Sequence, residues 1–371
     1  MKYAVVPVSD EKRLKEFLRL PFFLYRDDPH WVPPVVSEVR RTLDTKRNPY
    51  FANATLRLFL CYKDGTPTAR LAIVIDRLYE DKFGVRTAFF GFFESTNDEE
   101  AVRRLFGEAE EVCRAEGVKI LEGPFNPNHY SELGLQVDKF ETSPSFFQPY
   151  NPAYYSALLE KAGFRVSARF QTMKNDRIRE YLNVRYGEQL EAAERPGYTV
   201  RPISMKHLSR DLEAIREVNN EAFAANWHFL PLSREEVAFS AKHLRLVTRP
   251  NFILIAEHLR RPVGVLHCVL DINPALKKLG GTPGPLKYLG FLRDRKRIKK
   301  VIIFTVAIKK AYQHSRVYYL LLATFARMAR DVETLETTWI SPDNAPSVKA
   351  AETLGMTPDK AFAMYAKDLN L

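Results

Sequence analysis

The sequence is poor in the features that mark membrane-spanning, metal-binding and disulfide-bonded proteins. Its 371 residues include three cysteines, Cys61, Cys113 and Cys268, which are odd in number and far apart, so we expect reduced core thiols in a cytoplasmic protein. No stretch approaches ~18 consecutive apolar residues, and the N-terminus lacks the apolar segment of a signal peptide. The motifs HExxH, paired CxxC and GxSxG are absent, which argues against a metal site and a serine nucleophile.

Negative charge is also scarce, because 45 aspartates and glutamates face 56 lysines and arginines, for a net charge of +11. Much of the excess lies in KYLGFLRDRKRIKK, Lys287–Lys300, inside a predicted insertion at 274–300. This segment attracts anions, and an acidic carrier protein or an anionic membrane surface would fit it, although a solvated insertion is the simpler interpretation. No zinc module, RNA-binding motif or basic zipper accompanies the segment, so nucleic acid is not the expected partner.

The sequence contains a pattern that occurs twice, once in each half of the chain. Residues 64–76 read DGTPTARLAIVID, and residues 259–271 read LRRPVGVLHCVLD. Each has a turn, then a proline, then an apolar run that ends in aspartate nine residues after the proline. An apolar run precedes each turn as well, so each half of the chain is predicted to contain a β-hairpin.

A second repeated pattern follows each predicted hairpin. In Asn151–Phe164 and Asn344–Met356 an asparagine is predicted to cap a helix and a glycine to end it, and a β-type run comes next. Both halves read as strand, helices, hairpin, strand, helix, strand, helix and strand, which predicts an α/β (α+β) fold with mixed sheets flanked by helices. A charged, aperiodic link at 177–200 places the boundary near residue 190, giving domains 1–190 and 191–371.

The stretch AIKKAYQHSRVYYLLL, Ala307–Leu322, joins a β-type run to a helical one but contains no glycine. The order of elements in both halves resembles the GNAT acyl-CoA N-acyltransferase fold, present twice. In GNAT proteins the loop after the fourth strand has the form Gln/Arg-x-x-Gly-x-Gly/Ala, and its backbone N–H groups hold the pyrophosphate of acyl-CoA. Here Gln313 matches the first position, whereas Arg316 and Tyr318 stand where the two glycines belong.

Longer stretches resemble a poorly characterised family of tandem GNAT-like bacterial proteins, described mostly as N-acyltransferases. They include PFFLYRDDPHWVPP, GFFE, EGPFNPNHYSELGLQVDKFETSP, YNPAYYSALLEKAGF and TWISPDNAPSVKAAETLG. The resemblance implies an enzyme that moves an acyl group from acyl-CoA, acetyl-CoA or an acyl carrier protein to a small-molecule or lipid-like amine. It implies no metal. The cysteines predict a cytoplasmic protein, and the basic segment Lys287–Lys300 would allow it to bind a membrane surface peripherally.

The resemblance places the cofactor in the second half of the chain. The fourth strand there would offer a backbone N–H that polarises the thioester, and loop side chains, with Lys309 and Lys310 among them, would replace the glycine contacts. The alternative is that this loop no longer binds CoA. The implied cofactor-binding residues are Thr305, Ala307, Gln313, His314, Ser315, Arg316, Val317 and Asn344, of which Asn344 also fits a plain helix cap.

The tyrosine that often donates a proton in GNAT proteins, four residues before the glycine closing the last helix, is missing here. Leu159 and Ala351 take its place. Tyr318 is the candidate substitute, and Asp271, at the end of the third strand of the second half, is the candidate base, against an ordinary turn aspartate. Trp227 is a candidate for the acceptor wall and fits the core equally well.

The first half has no phosphate loop, because Asp98, Glu99 and Glu100 begin its helix and repel pyrophosphate. Its loop GPFNPNHYSELGLQVD, Gly123–Asp138, is long for a connection, and such loops are often functional. We expect this loop to help form the acceptor pocket, against the alternative of a self-packed loop. The residues concerned are Asn126, Asn128, His129, Tyr130 and Glu132.

Two functions therefore stay open at the level of the sequence. One is an N-acyltransferase, favoured by Gln313, Asn344 and the cationic loop. The other is a non-catalytic ligand-binding or scaffold protein made of two degenerate GNAT domains, favoured by the replaced glycines and the missing tyrosine.

Overall fold

A computed structural model describes residues 1–128, 130–185 and 197–370. The strands within these ranges are β1 (Tyr3–Pro7), β2 (Ala54–Lys63), β3 (Thr66–Asp76), β4 (Thr87–Ser95), β5 (Ile120–Gly123), β6 (Phe125–Asn126), β7 (Glu132–Leu133), β8 (Leu135–Gln136), β9 (Arg165–Asn175), β10 (Tyr198–Pro202), β11 (Ile253–His258), β12 (Arg261–Leu270), β13 (Lys300–Ile308), β14 (Thr334–Thr337) and β15 (Thr357–Asp368).

The α-helices lie mostly between the strands. They are α1 (Glu11–Leu24), α2 (Val36–Leu43), α3 (Arg77–Phe83), α4 (Glu99–Ala115), α5 (Tyr155–Lys161), α6 (Ile178–Arg185), α7 (Leu208–Ala222), α8 (Arg234–Ser240), α9 (Leu244–Val247), α10 (Asn273–Leu279), α11 (Pro285–Arg295), α12 (Val317–Met328) and α13 (Ala345–Glu352). No helix in the described ranges is both long enough and apolar enough to cross a membrane.

The chain folds into two compact units. Unit 1 contains Met1–Phe170, Asn273–Phe291 and Lys360–Leu371, and unit 2 contains Gln171–Ile272 and Leu292–Asp359. Each unit therefore includes segments from both halves of the sequence. The predicted boundary near residue 190 lies outside the described residues and stays a prediction.

Each unit has a mixed sheet that is mostly antiparallel. In unit 1 the order is β1-β2-β3-β4-β5-β15, and β4–β5 is the parallel pair. In unit 2 the order runs from β14 through β13, β12 and β11 to β10, and β13–β14 is the parallel pair. The predicted fold class is confirmed. The exchange of edge strands was not predicted: β15 pairs with β5, and β14 pairs with the end of β9.

Both predicted hairpins are present. β2–β3 turns at Asp64 and Gly65, and β11–β12 turns at Leu259 and Arg260, and all four residues have positive φ. Two-residue turns with positive φ at both positions match the twist of paired strands. In each hairpin the register shifts just before the partner of the proline, where a missing N–H is tolerated.

Asn151 and Asn344, the two asparagines of the second repeated pattern, have different roles in the structure. Asn344 caps α13, because its side-chain oxygen accepts a hydrogen bond from the Ser347 N–H at 3.2 Å. The prediction that Asn151 caps a helix is wrong. Asn151 is buried and instead accepts from the Gln136 N–H at 2.8 Å, and α5 begins later, after Tyr154. Asn151 thus tethers the loop that contains β8, a contact between residues distant in sequence.

The cysteines are free and buried, as expected from their spacing. Cys61 and Cys113 belong to the core of unit 1, which packs α4 and α5 on one face of the sheet. Burial raises the pKa of the Cys61 thiol to about 11, so it is protonated at neutral pH and acts as an apolar side chain.

Candidate functional site

The sheet of each unit opens beside its parallel pair of strands. β4 pairs with β5 only as far as Phe89 and Glu122, although β4 continues to Ser95. β13 pairs with β14 only as far as Ile303, and then continues to Ile308. Both longer strands also carry a bulge against their antiparallel neighbour just past this point. A strand that leaves its partner in this way exposes backbone groups that need other hydrogen-bond partners.

In unit 1 the opening is filled by the chain itself. The segment β6 lies so close to β4 that a Cβ added at Gly91 would stand 1.6 Å from the Phe125 carbonyl oxygen. At the bulge, Phe92 has φ +48, and its N–H donates to the side-chain oxygen of Asn126 at 2.7 Å. Asn126 thus satisfies the strand amide that the opening leaves without a partner strand.

A buried polar cluster lies beside this bulge, centred on Glu94. One oxygen of Glu94 accepts from the hydroxyls of Tyr25 at 2.7 Å and Tyr155 at 2.8 Å, and its other oxygen lies 3.5 Å from Arg70. The Tyr155 hydroxyl also accepts from the Ser95 N–H at 2.8 Å. Burial raises the pKa of the Glu94 carboxyl, while Arg70 and the two tyrosines favour its charged form.

Glu132 is the second carboxylate of the cluster. It belongs to β7, which pairs with β6, and it accepts from the Asn126 side-chain N–H at 3.3 Å. Burial raises the pKa of Glu132 to about 7; the Asn126 hydrogen bond opposes the rise and the charge of Glu94 adds to it. A carboxyl group with this pKa can both take up and release a proton near neutral pH, which is the property of a general base.

Aromatic side chains stand next to the cluster. Tyr25 stacks on Trp31 with ring centroids 5.2 Å apart, and Tyr150 lies 6.1 Å from Tyr25. The Tyr150 hydroxyl bonds to Asp28 at 2.8 Å. Glu94 therefore has an aromatic neighbourhood through Tyr25, as suits a ligand with a polar group on a hydrocarbon body.

Known proteins with a similar fold were found in structure comparisons. A tandem GNAT protein from the clavulanic acid biosynthesis pathway superposes with a TM-score of 0.57 at 15% identity, covering 99% of each chain. This chain has the tandem GNAT fold. The two sheet openings are those between the fourth and fifth strands of the two GNAT repeats.

Two curated proteins are similar in sequence over nearly their full length. A bacterial ceramide synthase from Caulobacter vibrioides is 27% identical over 375 residues, covering 99% of this chain and 97% of that protein. The protein YghO from Escherichia coli is 26% identical over 364 residues, covering 96% of this chain and 93% of that protein. No family model matches the chain.

The predicted phosphate loop of the second GNAT repeat lies where expected, between β13 and α12. Gln313, His314 and Arg316 are exposed in it. Lys309 forms ion pairs with Glu217 and Glu221 of α7, which neutralise part of the loop's positive charge.

The helix start beside this loop already has a partner within the chain. The Ser315 hydroxyl accepts from the Val317 N–H at 3.3 Å and donates to the Tyr312 carbonyl at 2.5 Å. Thr305 and Ala307 lie on β13, and Ala307 is buried in the core of unit 2. At this helix start the Val317 N–H is therefore already bonded, while the side chains of Gln313, His314 and Arg316 are exposed.

The two predicted catalytic residues have local partners. The Tyr318 hydroxyl donates to the Ala350 carbonyl of α13 at 2.8 Å. Asp271 is buried, 3.4 Å from the Lys300 ammonium, which also pairs with Glu336 at 2.6 Å. Lys300 is the first residue of β13, whereas the opening begins after Ile303. Both roles stay predictions.

The predicted acceptor residues fall in two places. Asn126 and Glu132 belong to the polar cluster of unit 1, and the Asn128 side chain accepts from the Tyr130 N–H at 3.1 Å in a local turn. Trp227 is in unit 2, 41% exposed, with its ring 3.8 Å from that of His228. His129 lies outside the described residues. Their binding role is untested.

Sequence reasoning missed Tyr25, Arg70, Glu94 and Tyr155. A signal existed for two of them, because Arg70 and Glu94 are the charged residues within otherwise apolar runs of β3 and β4. A charge inside a buried strand requires a partner, and these two are directly opposite in the β3–β4 register. No group of histidine, cysteine, aspartate and glutamate that could hold a metal ion occurs among the described residues.

Proposed function

We propose that the chain is an N-acyltransferase that moves an acyl group from acyl-CoA to the amine of a lipid-like molecule. The observation that carries the proposal is the pair of carboxylates Glu94 and Glu132 beside the sheet opening of a GNAT repeat. Similarity along 99% of this chain to a protein named bacterial ceramide synthase supports a lipid-like acceptor.

The chemistry requires a neutral amine. Its nitrogen attacks the thioester carbonyl carbon, the C–N bond forms, and the C–S bond breaks. Glu132 takes the amine proton, and the CoA thiolate leaves and is protonated by solvent. With a pKa of about 7, Glu132 is ionised in a large fraction of molecules at neutral pH, as a base must be. The placement of Glu132 favours it over Asp271, which is already paired with Lys300.

The β13–α12 loop of unit 2 is proposed separately, as a site that would bind acyl-CoA through side chains. The exposed positions of Gln313, His314 and Arg316 support this, and the ion pairs of Lys309 weaken it. Thermal shift with long-chain acyl-CoA tests the donor separately from the acceptor. At 100 times the dissociation constant, bound ligand should stabilise by about 2.7 kcal/mol. Arg316→Ala should weaken binding about five-fold, whereas Arg330→Ala, an exposed arginine after α12, should not.

The reaction itself is tested with the full chain, a long-chain acyl-CoA and a long-chain amino alcohol, with the amide product and free CoA measured by mass spectrometry. Glu132→Gln should lower kcat/KM about 100-fold or more, because the base is lost. Glu108→Gln, an exposed glutamate of α4, is the matched control and should leave the rate unchanged. The wild-type rate should show an inflection near pH 7, and Glu132→Gln should lose this inflection and keep only the rise due to ionisation of the amine.

The second candidate is a ligand-binding protein without catalysis. Two hydrogen bonds favour it. The Phe92 N–H at the opening of unit 1 already donates to the Asn126 side chain, and the Val317 N–H at the start of α12 in unit 2 already donates to the Ser315 hydroxyl. Neither N–H group is then available to a substrate. Stabilisation by the amine or by acyl-CoA with no amide formed at any acyl length would establish this candidate and reject the enzyme.

A further inference from the structure

The first two turns of α11 expose apolar side chains to solvent. Leu286 is 84% exposed, Leu289 is 62% exposed, and Tyr288 is 41% exposed. Leu286 and Leu289 are three residues apart and therefore share a face of the helix. Leucines with most of their surface in water are unfavourable unless a partner covers them, and two on one face form a patch rather than a scattered pair.

The same segment carries charge of one sign. Lys277, Lys278 and Lys287 have exposed side chains, and no aspartate or glutamate occurs from residue 272 to residue 293. The Lys277 ammonium donates to the Pro29 carbonyl and the Lys287 ammonium to the Leu279 carbonyl at 3.4 Å, which leaves each ammonium further N–H groups for a ligand. We call these three lysines, together with Leu286, Tyr288 and Leu289, the leucine–lysine face. All six belong to unit 1. Apolar side chains flanked by lysines are typical of segments that lie in the interface of an anionic bilayer.

The leucine–lysine face is held firmly against unit 1. The Asn273 side chain donates to the Pro144 carbonyl at 2.9 Å, and the Val36 N–H donates to the Gly281 carbonyl at 2.9 Å. Gly281 has φ +78, and a Cβ there would stand 2.4 Å from the Phe22 ring. Phe291 is buried at the other end of the exposed turns. The leucines are thus presented outward by an anchored helix.

We propose that the leucine–lysine face docks the protein on an anionic lipid bilayer, with Leu286 and Leu289 in the interfacial layer and the lysines at the lipid phosphates. The inference deepens the proposed function, since a lipid-like acceptor would be reached there, but vesicle binding is measured without donor or acceptor. Within the basic segment Lys287–Lys300, two of the later cations have partners inside the protein: Arg295 donates to the Leu246 carbonyl at 2.7 Å, and Lys300 is paired with Glu336.

A bilayer fits better than an acidic carrier protein because of the leucines. Lysines alone would serve either partner, since both are anionic. Insertion into lipid additionally removes the leucine surface from water without requiring a complementary protein pocket. Binding to a membrane should therefore depend on both the leucines and the lysines, whereas binding to a carrier should depend mainly on the lysines.

The test is co-sedimentation of the full chain with vesicles of phosphatidylcholine alone, or of phosphatidylcholine mixed with phosphatidylglycerol. We expect binding to the anionic vesicles, weakening with added salt. Leu286→Ser combined with Leu289→Ser should lower the partition coefficient about ten-fold or more. Lys277→Gln combined with Lys287→Gln should lower it about 25-fold, at about five-fold per lysine.

Two control variants test whether removing any exposed leucine or lysine lowers vesicle binding, or only those of the leucine–lysine face. Leu259→Ser removes a leucine that is 71% exposed in the β11–β12 turn, and Lys242→Gln removes an exposed lysine of unit 2. Both should bind vesicles like the wild type. The proposal is overturned if the leucine double variant binds as well as wild type, or if the wild type binds no anionic vesicle. Capture by an acidic acyl carrier protein in place of vesicles would also overturn it. Circular dichroism checks that each variant is folded.

Discussion

The two GNAT repeats use equivalent positions of the same sheet for different purposes. Three residues after the hairpin proline, unit 1 has Arg70, directly opposite Glu94 on the next strand. The equivalent position of unit 2 is Val265, opposite Ala307, and both are buried in the apolar core. One repeat thus places an ion pair where the other places two apolar side chains.

The residues at the openings of the two sheets also differ, with polar contacts to the bulge in unit 1 and mainly aromatic contacts in unit 2. In unit 1, Asn126 bonds to the N–H of the bulged Phe92. In unit 2 the bulged residue is Phe304, whose carbonyl accepts from the Thr338 hydroxyl at 3.3 Å, and whose ring lies 5.3 Å from His267. Burial lowers the pKa of His267 to about 4, so this histidine is neutral at physiological pH.

The largest difference between the repeats should appear at two strand glycines. Gly91→Ala in unit 1 should destabilise by ~4 kcal/mol or more, because the new Cβ meets a backbone oxygen at 1.6 Å and the backbone cannot move aside. Gly264→Ala in unit 2 meets the Val317 side chain at 2.7 Å, which can shift, so the loss should be ~1–3 kcal/mol.

Urea unfolding measures both glycine variants. Gly107→Ala in α4 is the control, since nothing lies within 4 Å of its Cβ, and it should stabilise by up to ~1 kcal/mol. Equal losses at Gly91 and Gly264 would contradict the closed opening described for unit 1.

A pH-dependent difference should follow from Glu132. The folded protein keeps the Glu132 proton up to about pH 7, whereas the unfolded chain releases it near the ordinary value of 4.5. The folded state therefore binds more protons in this window, and wild-type stability should fall by up to ~1.4 kcal/mol per pH unit as the pH rises through it. Glu132→Gln removes this dependence.

Thermal melts of wild type and Glu132→Gln at pH 5 and pH 8 test the point. The variant should gain stability relative to wild type at the higher pH, and Glu108→Gln should not. Parallel pH profiles of wild type and Glu132→Gln would show that Glu132 titrates normally, and would remove it as the proposed base.

Two tyrosines sharpen the comparison further. Tyr155→Phe should destabilise by about 2 kcal/mol, because the Ser95 N–H loses its acceptor and Glu94 loses a donor inside unit 1. Tyr318→Phe in unit 2 should lose about 1 kcal/mol, since one hydrogen bond to the Ala350 carbonyl disappears.

Turnover of the folded Tyr318→Phe variant then decides its predicted role. An unchanged kcat leaves Tyr318 as a structural contact between α12 and α13. A large fall in kcat at a nearly unchanged melting temperature would support the proton-donor role and place the chemistry in unit 2.

The smallest difference should come from the hairpin turns. Unit 1 turns at Asp64–Gly65, whereas unit 2 holds Leu259 and Arg260 at φ +49 and +65, where a side chain is strained. Arg260→Gly should stabilise by ~0.5 kcal/mol, since the relief exceeds the added freedom of the unfolded chain. Gly65→Ala should destabilise by ~1 kcal/mol. Chemical denaturation measures both, and a stabilising Gly65→Ala would contradict the turn geometry.

Local pattern was enough for much of the fold. The spacing from proline to aspartate predicted both hairpins, and the segment from β13 to α12 forms strand, loop and helix as the periodicity indicated. The helix cap at Asn344 was also predicted, because a cap depends on residues three or four positions away. Such features are determined by neighbours in the chain, which the sequence displays directly.

What the tertiary structure decided is the set of contacts between distant residues. The same reasoning assigned Asn151 to a cap, but a loop fifteen positions away offered it a buried N–H and carbonyl. Glu94 and Glu132 are far apart in sequence and meet because β6 and β7 fold back over the opening of β4. The exchange of edge strands between the two halves of the sequence, in which β15 pairs with β5 and β14 with the end of β9, has the same origin, since strand pairing joins whichever edges the fold brings together. A periodic pattern indicates which side of a strand is apolar, but it does not name the strand that will pair with it.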